Sequence, residues 1–122
     1  MLAAMSDPRL VDVSPLEQTL QRFASERGWD QYHSPKNLAM ALTGEVGELV
    51  EIFQWLTEDE SRTVAQNPAT SRAVRDELAD VLIYLVELSS TLGVDLNEAV
   101  NSKLADNARR YPARQAGSEA PG

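Results

Sequence analysis

The chain has 122 residues, of which 43% are hydrophobic and 25% are charged, a composition typical of one globular domain. The absence of cysteine excludes a disulfide framework and a thiolate metal site, and no apolar run approaches the roughly 18 residues of a membrane span. The net charge of −8 argues against a nucleic-acid partner, because binding backbone phosphates requires a basic surface. The N-terminal residues also lack the basic start and apolar stretch of a signal peptide, so we expect a cytoplasmic protein with neither nucleic acid nor membrane as its partner.

The N-terminal part of the chain predicts a loose segment followed by a helix. Residues 1–13 carry few periodic apolar positions and are expected to form a flexible arm. Ser14, Pro15 and Glu17 then form a capping box in which the serine is the N-cap residue. Apolar side chains recur at helical spacing after it until Gly28, which ends the predicted first helix.

The middle of the chain predicts two more helices. Ser34, followed by proline, provides the same kind of start for a second helix, which we expect to run to about Leu56. Thr57 and Glu60 predict a capped short helix that reaches Val64, before an Asn-Pro turn.

The C-terminal half predicts two long helices. One begins near Ser71 and ends at Gly93, and it carries apolar residues on most of its circumference. A helix that is apolar on most sides is usually buried by several neighbours. The last helix starts at Asp95 and Glu98 and ends before Pro112.

These elements predict an all-α fold, a four-helix-bundle-type domain with one additional short helix. The domain is expected to span residues 14–112, and residues 113–122 are expected to form a disordered tail. The helix that begins near Ser71 has apolar residues on more sides than one small domain can cover. We therefore expect the protein to be oligomeric.

Two pairs of acidic residues carry the clearest functional signal. Glu45 and Glu48 are three positions apart on the second helix, and Glu77 and Asp80 are three apart on the long helix that follows. Such residues are neighbours, about 5–6 Å apart at Cβ. If these helices pack antiparallel, four carboxylates face one cavity and repel one another unless protons or cations neutralise them. Oxygen ligands suit Mg²⁺ or Mn²⁺. The alternative is that each pair lies on an ordinary solvated helix face.

Gly44 and Gly47 lie beside the first acidic pair, inside a predicted helix. A glycine there costs roughly 1 kcal/mol relative to alanine. We interpret this pair as space for a neighbouring backbone or a ligand to approach the carboxylates closely.

The last helix offers a polar and basic stripe. Lys103, Asn107 and Arg110 recur at i, i+4 and i+7, and Tyr111 follows them. Lysine and arginine at this spacing can bind phosphate oxygens, by charge and by bidentate hydrogen bonds respectively. Cations near a helix C-terminus also interact favourably with the macrodipole, by roughly 0.3–1 kcal/mol, so both interpretations stay open.

A group of ring-bearing side chains could stack on a nucleobase. Trp29, His33, Trp55 and Tyr84 are candidates, although rings near helix ends are also common in cores. His33, the one histidine, is expected to form hydrogen bonds rather than ligate a metal.

With its acidic signature, E-x-x-E at 45–48 and E-x-x-D at 77–80, the sequence resembles the all-α nucleoside triphosphate pyrophosphohydrolases of the MazG-like superfamily. The similarity covers residues 16–112. Within this superfamily the chain resembles the dCTP pyrophosphatases through four segments: RGWDQYHSPKNL (27–38), GEVGELVEIFQW (44–55), DELADVLIYLV (76–86) and KLADNARRYP (103–112).

The resemblance implies hydrolysis of a deoxynucleoside triphosphate, dCTP or a modified dCTP, between its α and β phosphates, as house-cleaning of the nucleotide pool. It implies Mg²⁺, with Mn²⁺ as a substitute, held by the four carboxylates, which are also the catalytic residues. The stripe on the last helix would bind the phosphates, and the ring-bearing group would surround the base and sugar. Family members are homo-oligomers, dimers or tetramers built from dimers, with sites completed across subunits.

One position departs from the dCTP-type pattern, which has a histidine on the first helix where this chain has Leu20. This departure concerns the base and not the phosphate chemistry. Two alternatives to dCTP hydrolysis stay open. The first is the same chemistry on another base, such as dATP or dUTP. The second is a non-catalytic helical interaction protein whose carboxylates bind divalent cations.

Overall fold

Helices account for every regular element of residues 7–114, the part of the chain that the computed structural model describes. The elements are α1 (Ser14–Glu26), a 3₁₀ turn (Asp30–Tyr32), α2 (Pro35–Phe53), α3 (Glu58–Ser61), α4 (Ser71–Leu92) and α5 (Leu96–Arg110). The predicted all-α class is therefore confirmed. Within these residues no helix combines the length and the apolar composition needed to cross a membrane. Cytoplasmic location stays a prediction.

The predicted caps are confirmed at three of the helices. Ser34 accepts a hydrogen bond from the Asn37 backbone N–H (3.2 Å), and Asp95 accepts one from Glu98 (3.0 Å). At α3 the capping box is complete, because Thr57 accepts from the Glu60 N–H (3.1 Å) while the Glu60 side chain accepts from the Thr57 N–H (2.8 Å). These local hydrogen bonds satisfy backbone donors that a helix start leaves unpaired.

The expected cap at Ser14 was wrong, because Ser14 is already the first helical residue and Val13 is the N-cap. The backbone carbonyl of Val13 accepts from the Glu17 N–H at 2.8 Å, so the first helical hydrogen bond forms one residue earlier than the sequence pattern suggested. The proline within the first turn is in the position where its missing N–H costs least.

Two helix ends come earlier than predicted. Helix α2 ends at Phe53 rather than near Leu56, whose N–H instead donates to the Phe53 carbonyl in a tighter turn. Helix α3 ends at Ser61 rather than Val64, since Val64 donates to Ser61 across three residues. Such i→i+3 bonds tighten a final turn without extending the α-helix. By contrast, Gly93 ends α4 as expected, with a φ of 69° that glycine adopts without steric cost.

The described residues divide into two compact units. One spans Val13–Val94 and contains α1 to α4; the other combines residues 7–12 with 95–114 and contains α5. In the first unit α4 is the central element, because both α1 and α2 pack against it. The side chains buried there are small or branched: Ala24, Leu38, Val64, Val74 and Val86. The predicted single domain of 14–112 stays a prediction.

In the second unit, side chains of α5 hold part of the N-terminal segment. Asn97 accepts from the backbone N–H groups of Leu10 (2.8 Å) and Val11 (2.9 Å), and Asn101 donates to the carbonyl of Pro8 (3.0 Å). The described part of the predicted flexible arm is thus hydrogen-bonded to a helix. Residues 1–6 of that arm, and 115–122 of the predicted disordered tail, lie outside the described residues.

Helix α4 keeps an apolar stripe exposed. Leu78 and Leu82 are 55% and 47% exposed, and Leu85 continues the same face at i, i+4 and i+7. The expected oligomer would cover such a stripe, and it stays a prediction.

Candidate metal centre

Helices α2 and α4 bring three of the four predicted carboxylates together. Glu45 and Glu48 lie one turn apart on α2, and α2 packs against α4, which carries Glu77. One carboxylate oxygen from each of the three residues lies within 4.8 Å of the other two. Side chains from two helices therefore converge as the spacing predicted.

Burial and mutual repulsion make this group unfavourable without a cation. Oxygen Oε2 of Glu45 and of Glu77 is buried and has no hydrogen-bond partner. A hydrogen bond shared with Glu45, followed by burial and by the neighbouring Glu48, raises the pKa of Glu77 from 4.5 to about 7. A divalent cation bound between these carboxylates would satisfy the unpaired oxygens and offset the repulsion. The residues fit Mg²⁺ or Mn²⁺, which prefer carboxylate oxygens.

Asp80, the fourth predicted ligand, lies outside this close group. It follows Glu77 by one turn of α4 and is partly buried. The charge of Asp80 contributes to the raised pKa of the Tyr84 hydroxyl, one turn further along α4. Glu51, one turn after Glu48, is exposed and is also outside the group.

The predicted base-binding side chains do not gather in one place. Trp55 is 86% exposed just after α2, and Trp29 is 45% exposed with its ring edge-on to Phe23. Tyr84 is partly buried on α4, where burial and then the charges of Glu45, Glu87 and Asp80 raise its pKa. Of the four, only His33 lines the cavity described next.

Helices α1 and α4, with the turn after α1, form a cavity of about 320 Å³. Its wall includes Leu20, where the sequence departs from the dCTP-type pattern that it resembles, and His33. The hydrogen bond from Gln21 Nε2 to Ser90 Oγ (3.1 Å) connects the two helices at this wall. Sequence reasoning missed six further polar lining residues: Glu17, Gln21, Asp30, Glu87, Ser90 and Thr91. The one signal available was Glu87, an acid that follows the mainly apolar run VLIYLV at 81–86, seven residues after Asp80.

The predicted phosphate-binding residues lie at the end of α5, in the other unit. Lys103, Arg110 and Tyr111 are exposed and Asn107 is partly buried, so their side chains are open to a ligand. The ion pair between Arg109 and Asp106 lies next to this stripe. Phosphate binding stays a prediction.

The two glycines beside the carboxylates face open space. Apart from its chain neighbours and the nearby backbone of α2 itself, a Cβ atom added at Gly44 or Gly47 would meet no described atom within 4 Å. The space beside the carboxylates is therefore present, and the approach of a neighbouring backbone or a ligand stays a prediction.

Comparison with known proteins finds relatives of this chain in sequence and in fold. The MazG-like family model matches residues 41–120. The chain is 49% identical over 112 residues to human dCTP pyrophosphatase 1 and 48% identical over 107 residues to the bovine protein of that name. These alignments cover 92% and 88% of this chain, and the chain spans only 64% and 62% of those relatives' lengths. A solved pyrophosphatase from Archaeoglobus fulgidus superposes with a TM-score of 0.76 at 39% identity, over 88% of this chain and 99% of that one.

Proposed function

Since the chain belongs to the MazG-like family, we propose that it hydrolyses a deoxynucleoside triphosphate between the α and β phosphates, with dCTP or a modified dCTP as the substrate. The products would be the nucleoside monophosphate and pyrophosphate, and the role would be to clear unwanted nucleotides from the pool. The relatives named dCTP pyrophosphatase 1 support this substrate.

The convergence of Glu45, Glu48 and Glu77 is the observation that carries the proposal. Its two unpaired buried oxygens favour a bound divalent cation over an ordinary solvated helix face. These three residues would hold the ion, with Asp80 one turn away as the fourth ligand. When bound, Mg²⁺ would neutralise phosphate charge and lower the pKa of a coordinated water.

In the proposed reaction, a water oxygen forms a bond to the α-phosphorus while the bond from that phosphorus to the bridging oxygen breaks. The electron pair leaves with pyrophosphate, and the water proton must be accepted nearby. A carboxylate oxygen that does not ligate the ion can orient the water and accept this proton. Lys103 and Arg110 would bind phosphate oxygens by charge-assisted hydrogen bonds, and Asn107 and Tyr111 would add neutral ones.

The same chemistry on another base is the second candidate. A cyanophage S-2L protein named dATP/dGTP diphosphohydrolase is 53% identical to this chain over 38 residues, which are 31% of this chain and 36% of that protein. Because Leu20 replaces the histidine of the dCTP-type pattern, hydrolysis of dATP or dUTP also stays open. A non-catalytic, cation-binding role would require that no nucleotide be turned over.

Chromatography of the products from a panel of natural and modified nucleoside triphosphates, each with Mg²⁺, tests the proposal. We expect monophosphate and pyrophosphate in equal amounts, with dCTP or a modified dCTP among the best substrates. Release of orthophosphate with a diphosphate product would contradict the cleavage position. No turnover of any nucleotide would favour the binding protein.

A further inference from the structure

Glu87 is a carboxylate that the proposed metal centre does not use. It is partly buried on α4 and lines the cavity together with Glu17, Asp30 and His33. His33 is the one basic residue among the lining side chains. The nearby Thr91 hydroxyl donates to the backbone carbonyl of Glu87 (2.8 Å), not to its carboxylate.

A hydrogen-bond donor supplied by a ligand would stabilise the carboxylate of Glu87. Burial raises the pKa of Glu87, and the nearby His33 opposes this rise. Burying an ionised carboxylate away from water costs free energy when no hydrogen-bond donor replaces the water. An N–H group from a ligand would therefore stabilise ionised Glu87. The cavity volume of about 320 Å³ is at the lower end of the ~300–1,000 Å³ of small-molecule sites.

The cavity and the metal centre lie along one face of α4. Asp80, Tyr84 and Glu87 follow one another at i, i+4 and i+7, so Glu87 is about 10 Å along the helix axis from Asp80. Tyr84 lies between them, because the charges of Glu45, Asp80 and Glu87 all raise the pKa of its hydroxyl. A nucleotide whose phosphates are at the metal centre can therefore extend its base along this face.

The acidic lining decides which end of a nucleotide the cavity accepts. Three of its side chains are carboxylates, Glu17, Asp30 and Glu87, and it has no lysine or arginine. Phosphates would be repelled there, whereas a neutral base presenting N–H donors would be attracted. The apolar side chains of Leu20 and Val86 supply a surface for a flat ring.

We infer that Glu87 selects nucleobases with an exocyclic amino group, such as cytosine, over uracil and thymine, an inference that rests on the proposed nucleotide hydrolysis. The ionised carboxylate only accepts hydrogen bonds, so it pairs with the 4-amino group of cytosine. Uracil and thymine have a carbonyl oxygen at that position, which would leave two acceptors facing each other without a proton. Glu87 is thus a specificity-determining residue.

The test compares kcat/KM for dCTP and dUTP at pH 8 in the wild type, Glu87→Gln and the control Glu26→Gln. Glutamine has the shape of glutamate, but its amide can also donate to the uracil oxygen. We expect the dCTP preference to fall about 10- to 100-fold in Glu87→Gln and to be unchanged in Glu26→Gln, an exposed carboxylate away from the cavity. An active Glu87→Gln with wild-type preference would overturn the inference.

Equilibrium binding of dCMP and dUMP tests the role of Glu87 in base selection independently of turnover. The wild type should bind dCMP more tightly, and Glu87→Gln, with its helix content checked by circular dichroism, should lose that preference. Equal binding of the two nucleotides by the wild type would overturn the role of Glu87 even if pyrophosphate release is confirmed. A dCMP preference that depends on Glu87, in a protein without turnover, would support this role while the proposed hydrolysis fails.

Discussion

The carboxylates of Glu45 and Glu77 meet where α2 packs on α4, and each has a buried oxygen without a hydrogen-bond partner. A hydrogen bond shared with Glu45, then burial and the neighbouring Glu48, raises the pKa of Glu77 to about 7, so Glu77 keeps its proton to about that pH. The folded state thus carries a local cost at neutral pH, which the proposed divalent cation would remove.

This relationship predicts how stability changes with pH. Between pH 4.5 and about 7 the unfolded chain ionises Glu77 while the folded chain keeps its proton, so the folded state binds more protons. The contribution of Glu77 to stability is therefore present below pH 4.5 and is lost as pH rises to about 7. In metal-free buffer, the Tm of Glu77→Gln minus that of the wild type should increase across this window.

The control for that experiment is Glu51→Gln, which removes an exposed carboxylate from α2 outside the group. Its Tm difference from the wild type should stay nearly constant with pH. At pH 8, Mg²⁺ or Mn²⁺ should raise the Tm of the wild type and of Glu51→Gln, since a ligand that binds only the folded state stabilises it. A Glu77→Gln difference that does not change with pH would contradict the coupling between Glu45 and Glu77.

Trp55 does not line the cavity that contains Glu87, so its role in stacking on a base is a prediction from the sequence alone, and it should contribute to nucleotide binding and not to folding. It is 86% exposed, so its replacement by alanine removes no core packing and should change the free energy of unfolding by less than about 0.5 kcal/mol. Because stacking on a base is worth about 1–3 kcal/mol and tolerates any base, the Kd of every nucleotide should rise by roughly 5- to 100-fold. Trp55→Phe keeps a ring and should restore most of the affinity. Unchanged affinity in Trp55→Ala would remove Trp55 from the proposed base site.

Lys103 should bind substrate phosphate rather than only interact with the dipole of α5. Charge-assisted hydrogen bonds are worth about 1.5–3 kcal/mol, so Lys103→Ala should raise KM for the triphosphate about 10- to 100-fold. Arg109→Ala is the matched control, because Arg109 is a cation in the last turn of α5 that pairs with Asp106 off the stripe. A lower stability of Lys103→Ala with unaltered kinetics would favour the interaction with the helix dipole, which is worth roughly 0.3–1 kcal/mol of stability.

The exposed stripe of α4 predicts that the protein is not a monomer. Light scattering at micromolar concentration should give a dimer or a tetramer, and Leu82→Glu should lower that mass by placing a charge within the stripe. Ala73→Glu, at an exposed position of α4 off the stripe, should leave the mass unchanged. A wild-type monomer throughout this range would contradict the oligomer and the sharing of sites between subunits.

Local signals allowed much of the fold to be predicted, because caps depend on residues only three positions apart. Ser34, Thr57 and Asp95 each make the expected hydrogen bond. Ser14 was misplaced because the sequence gives no means of choosing between two adjacent starts when a proline suits both.

The candidate site was less predictable, because spacing fixes the face of a helix but not how two helices cross. Glu45 and Glu77 were expected to meet and do, whereas the position of Asp80 outside the close group depends on the packing of α2 on α4. The cavity containing Glu87 joins α1, the turn after it and α4, and no local pattern in the sequence links these three segments.

Pyrophosphate release from dCTP with saturating Mg²⁺, measured in parallel for the wild type, Glu48→Gln and Glu51→Gln, tests the central claim most directly. Both variants lose one carboxylate from α2, one turn apart, but only Glu48 belongs to the three-carboxylate group. We expect Glu48→Gln to lose turnover by about 10²-fold or more while keeping its helix content, and Glu51→Gln to retain wild-type turnover. Full activity in Glu48→Gln would contradict the assignment of this group as the metal centre of a pyrophosphohydrolase.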